Sequence, residues 1–374
     1  MNKIRTVLAI TGALALLVGL AFAANFASKW NKPLGVSLGL PSPTLAATRT
    51  PVPIATSSRD ATTTISSTFT STPEPLCGGP SVMTILAIGS DTRSENYLYG
   101  LSDVIRVIRV DFNTPRVSVL DLPRDLWVDI PDISSHYGIN QGKLNQAYLY
   151  GNPGMGYYDG PGEGPGLLAR TLFKNFGISV DNYGAINMRT FVKLVDAAGG
   201  IDIYLPTDMD GRPIDKETED MGYFSAGQQH LGGDAALRLA RIRKKIGGGF
   251  RRTDNQNLVL CALKDKLLSP SVLPKVPQII DSFRDSVQTD LSPAQISRLA
   301  CLMPKVSSEN LIFASVPEEL FKLGKIYDPY RKDTTSILEI DHAVLQNYIN
   351  RFIAGEWPEP STDEPSCPPP VKQP

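Results

Sequence analysis

Only Asn113-Thr114-Pro115 separates two strand-like runs, VIRVIRVDF (104–112) and RVSVLDL (116–122). Both are rich in β-branched and apolar residues, and so short a connection with turn chemistry joins strands as an antiparallel hairpin. Such a pair is marginal alone in water, so a larger sheet and a covering layer are required. VMTILAI (82–88) supplies a further strand upstream. Pro123 ends the second hairpin strand, because proline lacks the ladder N–H and is expelled from sheet interiors. Arg124, flanked by Asp121 and Asp125, therefore sits at a sheet edge or rim.

Downstream the hydrophobic period becomes helical. GPGLLARTLFKNFGI has Pro165 near a first-turn position and Gly177 as a stop. MRTFVKLVDAAGG ends in Gly-Gly and feeds the strand IDIYLP, and GDAALRLARIR starts from Asp234 as its cap. NQNLVLCALKDKLL, PKVPQIIDSFRDSV, SPAQISRLACLMP and IDHAVLQNYINRFIAG add more helix. This interleaving predicts a single α/β domain with helices packed on a sheet. The Gly-rich GNPGMGYYDGPGEGPG (151–166) lacks the P-loop pattern and its Lys, and reads as a flexible surface insertion. His136, His230 and His342 have no nucleophile-elbow context, which argues against a Ser-His-Asp hydrolase; His230 is expected to organise a turn.

The ends of the chain bear on compartment. Lys3 and Arg5 precede an uncharged run, Val7 to Ala24, near the lower length limit for a membrane-spanning helix. Ala21-Phe22-Ala23 also fits a signal-peptide cleavage site, but the run is long for a signal core, which favours a retained anchor. Either reading places the remainder outside the cytoplasm. The expected organisation is a cytoplasmic N-terminus (1–6), a transmembrane anchor (7–27), a Thr/Ser/Pro-rich stalk (28–79), one folded domain (80–357) and a Pro-rich disordered tail (358–374). In an oxidising compartment Cys77, Cys261, Cys301 and Cys367 allow three pairings; the nested one, Cys261–Cys301 inside Cys77–Cys367, is expected. The formal net charge of −1 excludes a global field for nucleic acid, so any anion site is local.

Two local clusters carry candidate chemistry. Asp91 follows a strand end and Asp103 opens the next strand. If those strands are neighbours, their carboxylates meet near one point, where a hard cation such as Mg²⁺ would relieve their repulsion. The competing reading is that Asp91 merely caps a turn and Asp103 a strand start. Arg241 and Arg243 share a face if the chain is extended, about 7 Å apart, and suit a phosphate between them. Arg252 and Gln256 lie one helical turn apart. A solvated basic helix end is the bland alternative for this set.

In order and spacing, ILAIGSDTR, GLSDVIRVIRVD, VSVLDLPRDLWVDIP, GKLNQAYLYG, NMRTFVKLVDAAGGIDIYLP, SAGQQHLGGDAALRLARIRKK and FRRTDNQ resemble the LytR-CpsA-Psr (LCP) family, from about Val82 to about Trp357. The resemblance implies an α/β fold with a central mixed β-sheet, flanking α-helices and a hydrophobic lipid groove. It also implies a membrane-anchored phosphotransferase that moves a glycopolymer from a polyprenyl-diphosphate carrier onto a peptidoglycan hydroxyl. Asp91 and Asp103 would then be acids associated with Mg²⁺, or with Mn²⁺ in its place. Arg93, Arg124, Arg241, Arg243 and Arg252 would clamp the diphosphate, with Gln256 beside them and Lys143 adding charge. The family often has Arg before the Ser-Asp pair where this chain has Leu101, a gap that Arg106 or Arg109 would have to fill. The R-x-x-R-Q-Q pattern reads Arg252-Thr253-Asp254-Asn255-Gln256-Asn257, without the second Arg and second Gln. Two other activities stay open: a polyprenyl-pyrophosphate hydrolase using water at the same site, and a non-catalytic envelope-binding or signalling protein.

Overall fold

A computed structural model of the chain describes residues 30–40, 74–92, 97, 99–216, 218–243, 248–275, 279, 283, 286–359 and 367. The expected anchor and Arg93 lie outside these residues, and among the described helices none is long and apolar enough to cross a membrane.

The strands are β1 (Val82–Ser90), β2 (Ser102–Asp111), β3 (Arg116–Asp121), β4 (Trp127–Asp129), β5 (Gln141–Lys143), β6 (Asn182–Asn187), β7 (Ile201–Leu205), β8 (Met209–Asp210), β9 (Tyr223–Phe224), β10 (Gly227–Leu231), β11 (Gln288–Thr289), β12 (Leu311–Ser315), β13 (Lys322–Asp328) and β14 (Asp333–Glu339). The helices are α1 (Leu144–Gly151), α2 (Glu163–Phe176), α3 (Met188–Ala197), α4 (Gly233–Arg241), α5 (Gly248–Leu268), α6 (Pro293–Leu302) and α7 (His342–Ala354). A six-stranded sheet runs in the order β11-β6-β1-β2-β3-β12. β1 pairs parallel with β6 and β3 parallel with β12, while β2 runs antiparallel between β1 and β3. The sheet is mixed. The hairpin forms as its turn chemistry requires, and β3 stops at Asp121, two residues before Pro123.

Strand alternation sorts the sheet's two faces. Leu86, Ile88, Ile105, Val107, Leu120 and Ala185 point to one side, where α1, α2 and α7 bury them. Met83, Ile85, Val110, Val117 and Val119 point to the other, beneath Leu302 of α6. Farther along that second face the residues become small: Ala87, Gly89 and Gly184. Over this hollow stands a second layer, in which α3, α4 and α5 pack with β7 and β10. Small side chains on the sheet, facing a layer that has its own core, leave a space between them.

Local signals at helix ends mostly act as read. Gly177 closes α2 in the left-handed region, at φ 67°. Two caps not singled out above also form, a Ser292–Gln295 capping box on α6 and Asp341 on α7. Asp234 does not cap α4. That position falls to Gly232, and Asp234 sits in the first turn with Arg238 Nε 3.0 Å away. His230 is a strand residue of β10, opposite Asp202, whose carboxylate meets its Nδ1 at 2.7 Å. The Gly-rich segment is packed rather than loose: Asn152 is buried, and a Cβ on Gly164 would meet Tyr148 O at 2.8 Å.

Residues 30–40, within the expected stalk, lie on the domain. Leu38 is buried in the main core, and Leu34 N donates to Leu291 O at 3.3 Å. The cysteine pairing is also different from the nested one. Cys77 bonds Cys301, and Cys261 bonds Cys367. The approach to β1 lies against α6, which carries Cys301, whereas Cys261 faces the core cluster that the C-terminal tail reaches. Cys261 and Cys301 are both helical, but they do not pair.

Candidate active site

The β1–β2 register brings Ser90 opposite Ser102, so Asp91 and Asp103 leave adjacent strand ends at the same rim. Asp91 closes the intervening loop: its N–H donates to Leu101 O at 3.0 Å, and its Oδ1 accepts from Leu101 N at 2.7 Å. Gly100 makes that closure sterically feasible, since a Cβ there would come 2.0 Å from Thr92 Oγ1 and 3.2 Å from Asp91 Oδ1. Burial, and then the Asp103 charge, hold the Asp91 carboxyl above its ordinary range, against the Leu101 N–H and Arg124.

Arg124 arrives at this rim because Pro123 turns the chain out of the sheet. Its Nη1 donates to Asp103 Oδ1, and its Nε to Asp125 Oδ2 at 3.4 Å. Asp125 also accepts from Lys143 Nζ at 3.0 Å, where β5 passes into α1. Burial pulls the Arg124 guanidinium down, but Asp103 and Asp125 together raise it, so it is a firmly held cation. Burial pushes Asp125 up, yet Arg124 and Lys143 outweigh it and keep the carboxyl below its usual range. Asp125 thus contacts both Arg124 and Lys143, and the three form one chain of charges.

The first turns of α5 bring Arg252 to the same point, with Nη2 3.4 Å from the Asp103 carbonyl oxygen. Its Nε is buried with no hydrogen-bond partner among the described residues. Burial, and then the like charges of Arg124 and Arg243, bring this guanidinium down to about 10. Helix α4 ends at Arg241 and Ile242 is extended, with ψ 130°, so the backbone changes state between the two paired arginines. Arg243 is solvent-accessible overall, but burial and the charge of Arg124 still depress it. A converging set of cations that lower one another's pKa is a site prepared for an anion.

Three further residues complete the network, and of these only Arg106 was singled out above, as a substitute for the arginine missing at Leu101. Arg106, 2 % exposed, faces Asp121 across the hairpin, with Nε 3.4 Å from Oδ1. It also donates to Asn257 Oδ1 at 2.8 Å and to Gln256 Oε1 at 3.2 Å. Gln256 is thus engaged by Arg106, although it still borders the cavity. Thr253 Oγ1 donates to Asp121 Oδ2 at 3.1 Å, completing a buried tie between the hairpin and α5. The third is Glu219, which holds Arg241 through two contacts, Nη2–Oε2 at 2.6 Å and Nη1–Oε1 at 3.2 Å, so Arg241 already has an anionic partner. The opposite charges of Arg106 and Asp121, symmetric about the hairpin turn, were the available signal for their contact. Glu219 offered none.

Behind the charged rim lies a cavity of about 1560 Å³. Ala87, Gly89 and Gly184 form its floor, while Phe191, Leu237, Val259 and Leu260 line the opposite side. Asp103, Arg106, Arg241, Arg243 and Arg252 border it too. Pockets for drug-sized ligands fill roughly 300–1,000 Å³. This space is larger and mainly apolar, with cations gathered at the border.

Asp91 and Asp103 fit a hard cation. They supply carboxylate oxygens from two strand ends, and Asp103 already raises the Asp91 carboxyl by repulsion, which a cation would relieve. Among the described residues no group of three or more acidic, His or Cys side chains completes an all-protein cage. Two carboxylates joined by substrate phosphate and water is the usual manner of holding Mg²⁺.

Comparison with known proteins agrees with this architecture. The teichoic acid transferase TagU of Oceanobacillus iheyensis is 32% identical over 217 residues, 58% of this chain and 61% of that protein. TagV of Bacillus subtilis, a transferase of the same description, is 26% identical over 267 residues, 71% of this chain and 64% of TagV. The chain thus spans about 60% of the length of these curated relatives. The crystal structure of B. subtilis TagV superposes with a TM-score of 0.55 at 24% identity, covering 74% of this chain and 97% of that one. The LytR_cpsA_psr family model matches residues 55–350, most of the sequence, and the chain belongs to that family.

Proposed function

We propose that this protein is a phosphotransferase that moves a glycopolymer from a polyprenyl-diphosphate carrier onto a peptidoglycan-type hydroxyl outside the cytoplasm. One observation carries the reading: a large apolar cavity bordered by Arg124's neighbours Asp103, Arg243 and Arg252, the last with a buried, unpartnered Nε. A lipid diphosphate has the matching polarity, a long apolar tail joined to a compact polyanion. The relatives named as polyisoprenyl-teichoic acid–peptidoglycan teichoic acid transferases support the same substrate class.

In this reading the tail lies along the Ala87, Gly89 and Gly184 floor, and the diphosphate meets the arginine cluster. The acceptor hydroxyl oxygen attacks the phosphorus that bears the glycopolymer. A new O–P bond forms, the bridging P–O bond breaks, and polyprenyl monophosphate leaves with the electron pair. Arg252 and Arg243 neutralise the charge that gathers on the departing phosphate, a role that suits rigid, already oriented donors. Arg124, braced by Asp125 and Lys143, holds the phosphoryl group in line. A carboxylate oxygen of Asp91 or Asp103 that the cation does not occupy accepts the hydroxyl proton. Asp91 and Asp103 would hold Mg²⁺, which supplies Lewis-acid charge stabilisation to the diphosphate.

The test is turnover of a synthetic polyprenyl-diphosphate oligosaccharide, with and without soluble peptidoglycan. The wild type is expected to release polyprenyl monophosphate and to require the acceptor. Arg124→Ala is expected to lower the rate by about 10²-fold or more, the scale for losing one charge-stabilising donor. Release that is equally fast without acceptor means hydrolysis. No release by folded protein would leave a binding or signalling role.

A further inference from the structure

We infer that a cluster of aromatic side chains beside the Gly-rich segment is a sugar-binding platform. Three separate parts of the chain build it: the turn before β5 with His136 and Tyr137, the Gly-rich segment with Tyr157, and the β13–β14 tip with Tyr330. His136 stacks on Tyr157 with ring centroids 4.7 Å apart and planes 11° from parallel. Tyr137 and Tyr330 tilt against Tyr157 at 6.3 and 6.5 Å, and the buried Tyr150 lies beneath at 5.7 Å.

Three observations point to a ligand rather than to ordinary packing. Tyr137 is 87% exposed, so its ring is not there to fill a core. It is also held in the left-handed region at φ 56°, a conformation that a bulky residue rarely adopts without a reason. Tyr150, whose ring lies 5.7 Å from that of Tyr157, has a buried Oη with no hydrogen-bond partner among the described residues. The support is rigid. Gln146 Nε2 donates to Asp328 Oδ2 at 2.7 Å, and Asp328 Oδ1 accepts from Tyr330 N and Arg331 N, which fixes the hairpin tip to α1.

The ring chemistry selects the occupant. A pyranose has one face of weakly positive C–H groups, which suits the negative face of an aromatic ring, and a rim of hydroxyls, which suits phenolic edges. Charges of both signs flank the cluster, with Arg170 as well as Asp132 and Asp159 beside Tyr158, and Arg331 and Lys332 following Tyr330. Position agrees as well. Lys143 begins α1 in the charged rim and Tyr150 is near its other end, so about 10 Å of helix separates platform from rim, within reach of a short oligosaccharide. The platform would thus grip a glycan whose end is at the reaction centre, a placement that rests on the transferase reading, although sugar binding itself does not.

Acceptor and donor both carry sugars, and calorimetry with two soluble probes distinguishes them: peptidoglycan glycan strands, and the donor glycan freed of its lipid. The wild type should bind at least one. Tyr137→Ala and Tyr157→Ala should weaken that binding by about tenfold, as loss of a ring stack does, and Tyr137→Phe should restore it. Tyr137 is exposed, so its variants are expected to melt like the wild type. Arg124→Ala should bind the glycan normally while losing turnover, which separates failure of the platform from failure of the transferase reading. Binding of neither probe by the wild type, or equal binding by both alanine variants, would overturn the proposal.

Discussion

Gly184→Phe is a direct perturbation of the lipid cavity. Gly184 lies in the middle of β6, and a Cβ added there would meet no heavy atom within 4 Å. The new side chain therefore enters open cavity rather than a neighbour, and its ring blocks the floor beside Ala87 and Gly89. In the ligand-free protein the buried ring should stabilise the fold by about 1–3 kcal/mol. Removing glycine from a strand interior adds about 0.5–1 kcal/mol. At about 2–4 °C per kcal/mol, the melting temperature should rise by several degrees. Added polyprenyl phosphate should have the opposite pattern. At a hundred times its dissociation constant it contributes about 2.7 kcal/mol to the wild type, and almost nothing to the variant. Differential scanning calorimetry with and without lipid reads both effects. Gly184→Ala, which adds little volume, should retain the lipid response. An equal lipid-induced shift in wild type and Gly184→Phe would refute the placement of the tail on this sheet face.

Three other outcomes follow from the same geometry. Asp91→Asn should stabilise the metal-free protein at neutral pH while lowering activity. Burial raises the folded carboxyl above its ordinary value, so its charged form is a burden at higher pH that disappears as pH falls through the folded value. The gain measured by thermal melts should therefore shrink on acidification; a loss of stability at pH 7 would contradict it. Asp121→Asn should destabilise by about 3–5 kcal/mol, because it strands Arg106 in a buried setting. Urea titration should show part of that loss recovered in Arg106→Met/Asp121→Asn; simple additivity would sink the idea of a coupled pair. Cys261→Ser/Cys367→Ser should lower stability by about 2–5 kcal/mol, and mapping of unreduced peptides should find Cys77 linked to Cys301. A Cys261–Cys301 peptide would contradict the fold's C-terminal tether.

Local features were legible because local physics decides them. The Asn113-Thr114-Pro115 turn, the Pro123 stop and the Gly177 terminus each depend on a few neighbouring residues. Asp91 and Asp103 also came within reach, since two strands joined by a loop place their ends together. What failed was long-range competition for partners. Arg241 is held by Glu219, from a loop whose fold no period announces, and Gln256 is taken by Arg106 across 150 residues. The cysteine pairing turned on which side of α5 faces the tail, which helical spacing alone does not determine. The aromatic platform was hidden for a similar reason. Its rings come from three segments, and the glycines between them signal looseness until their close backbone contacts are seen.

Transfer of a phosphoryl-linked glycan to a sugar hydroxyl leaves its record in the linkage that forms. Mass spectrometry of peptidoglycan fragments after incubation with wild-type protein and lipid-linked donor should find the glycan attached through a single phosphodiester. Polyprenyl monophosphate should be released in equal amount, and neither product should form with Arg124→Ala. Glycan phosphate free in solution with unmodified peptidoglycan, or donor left intact by folded protein, would contradict the account.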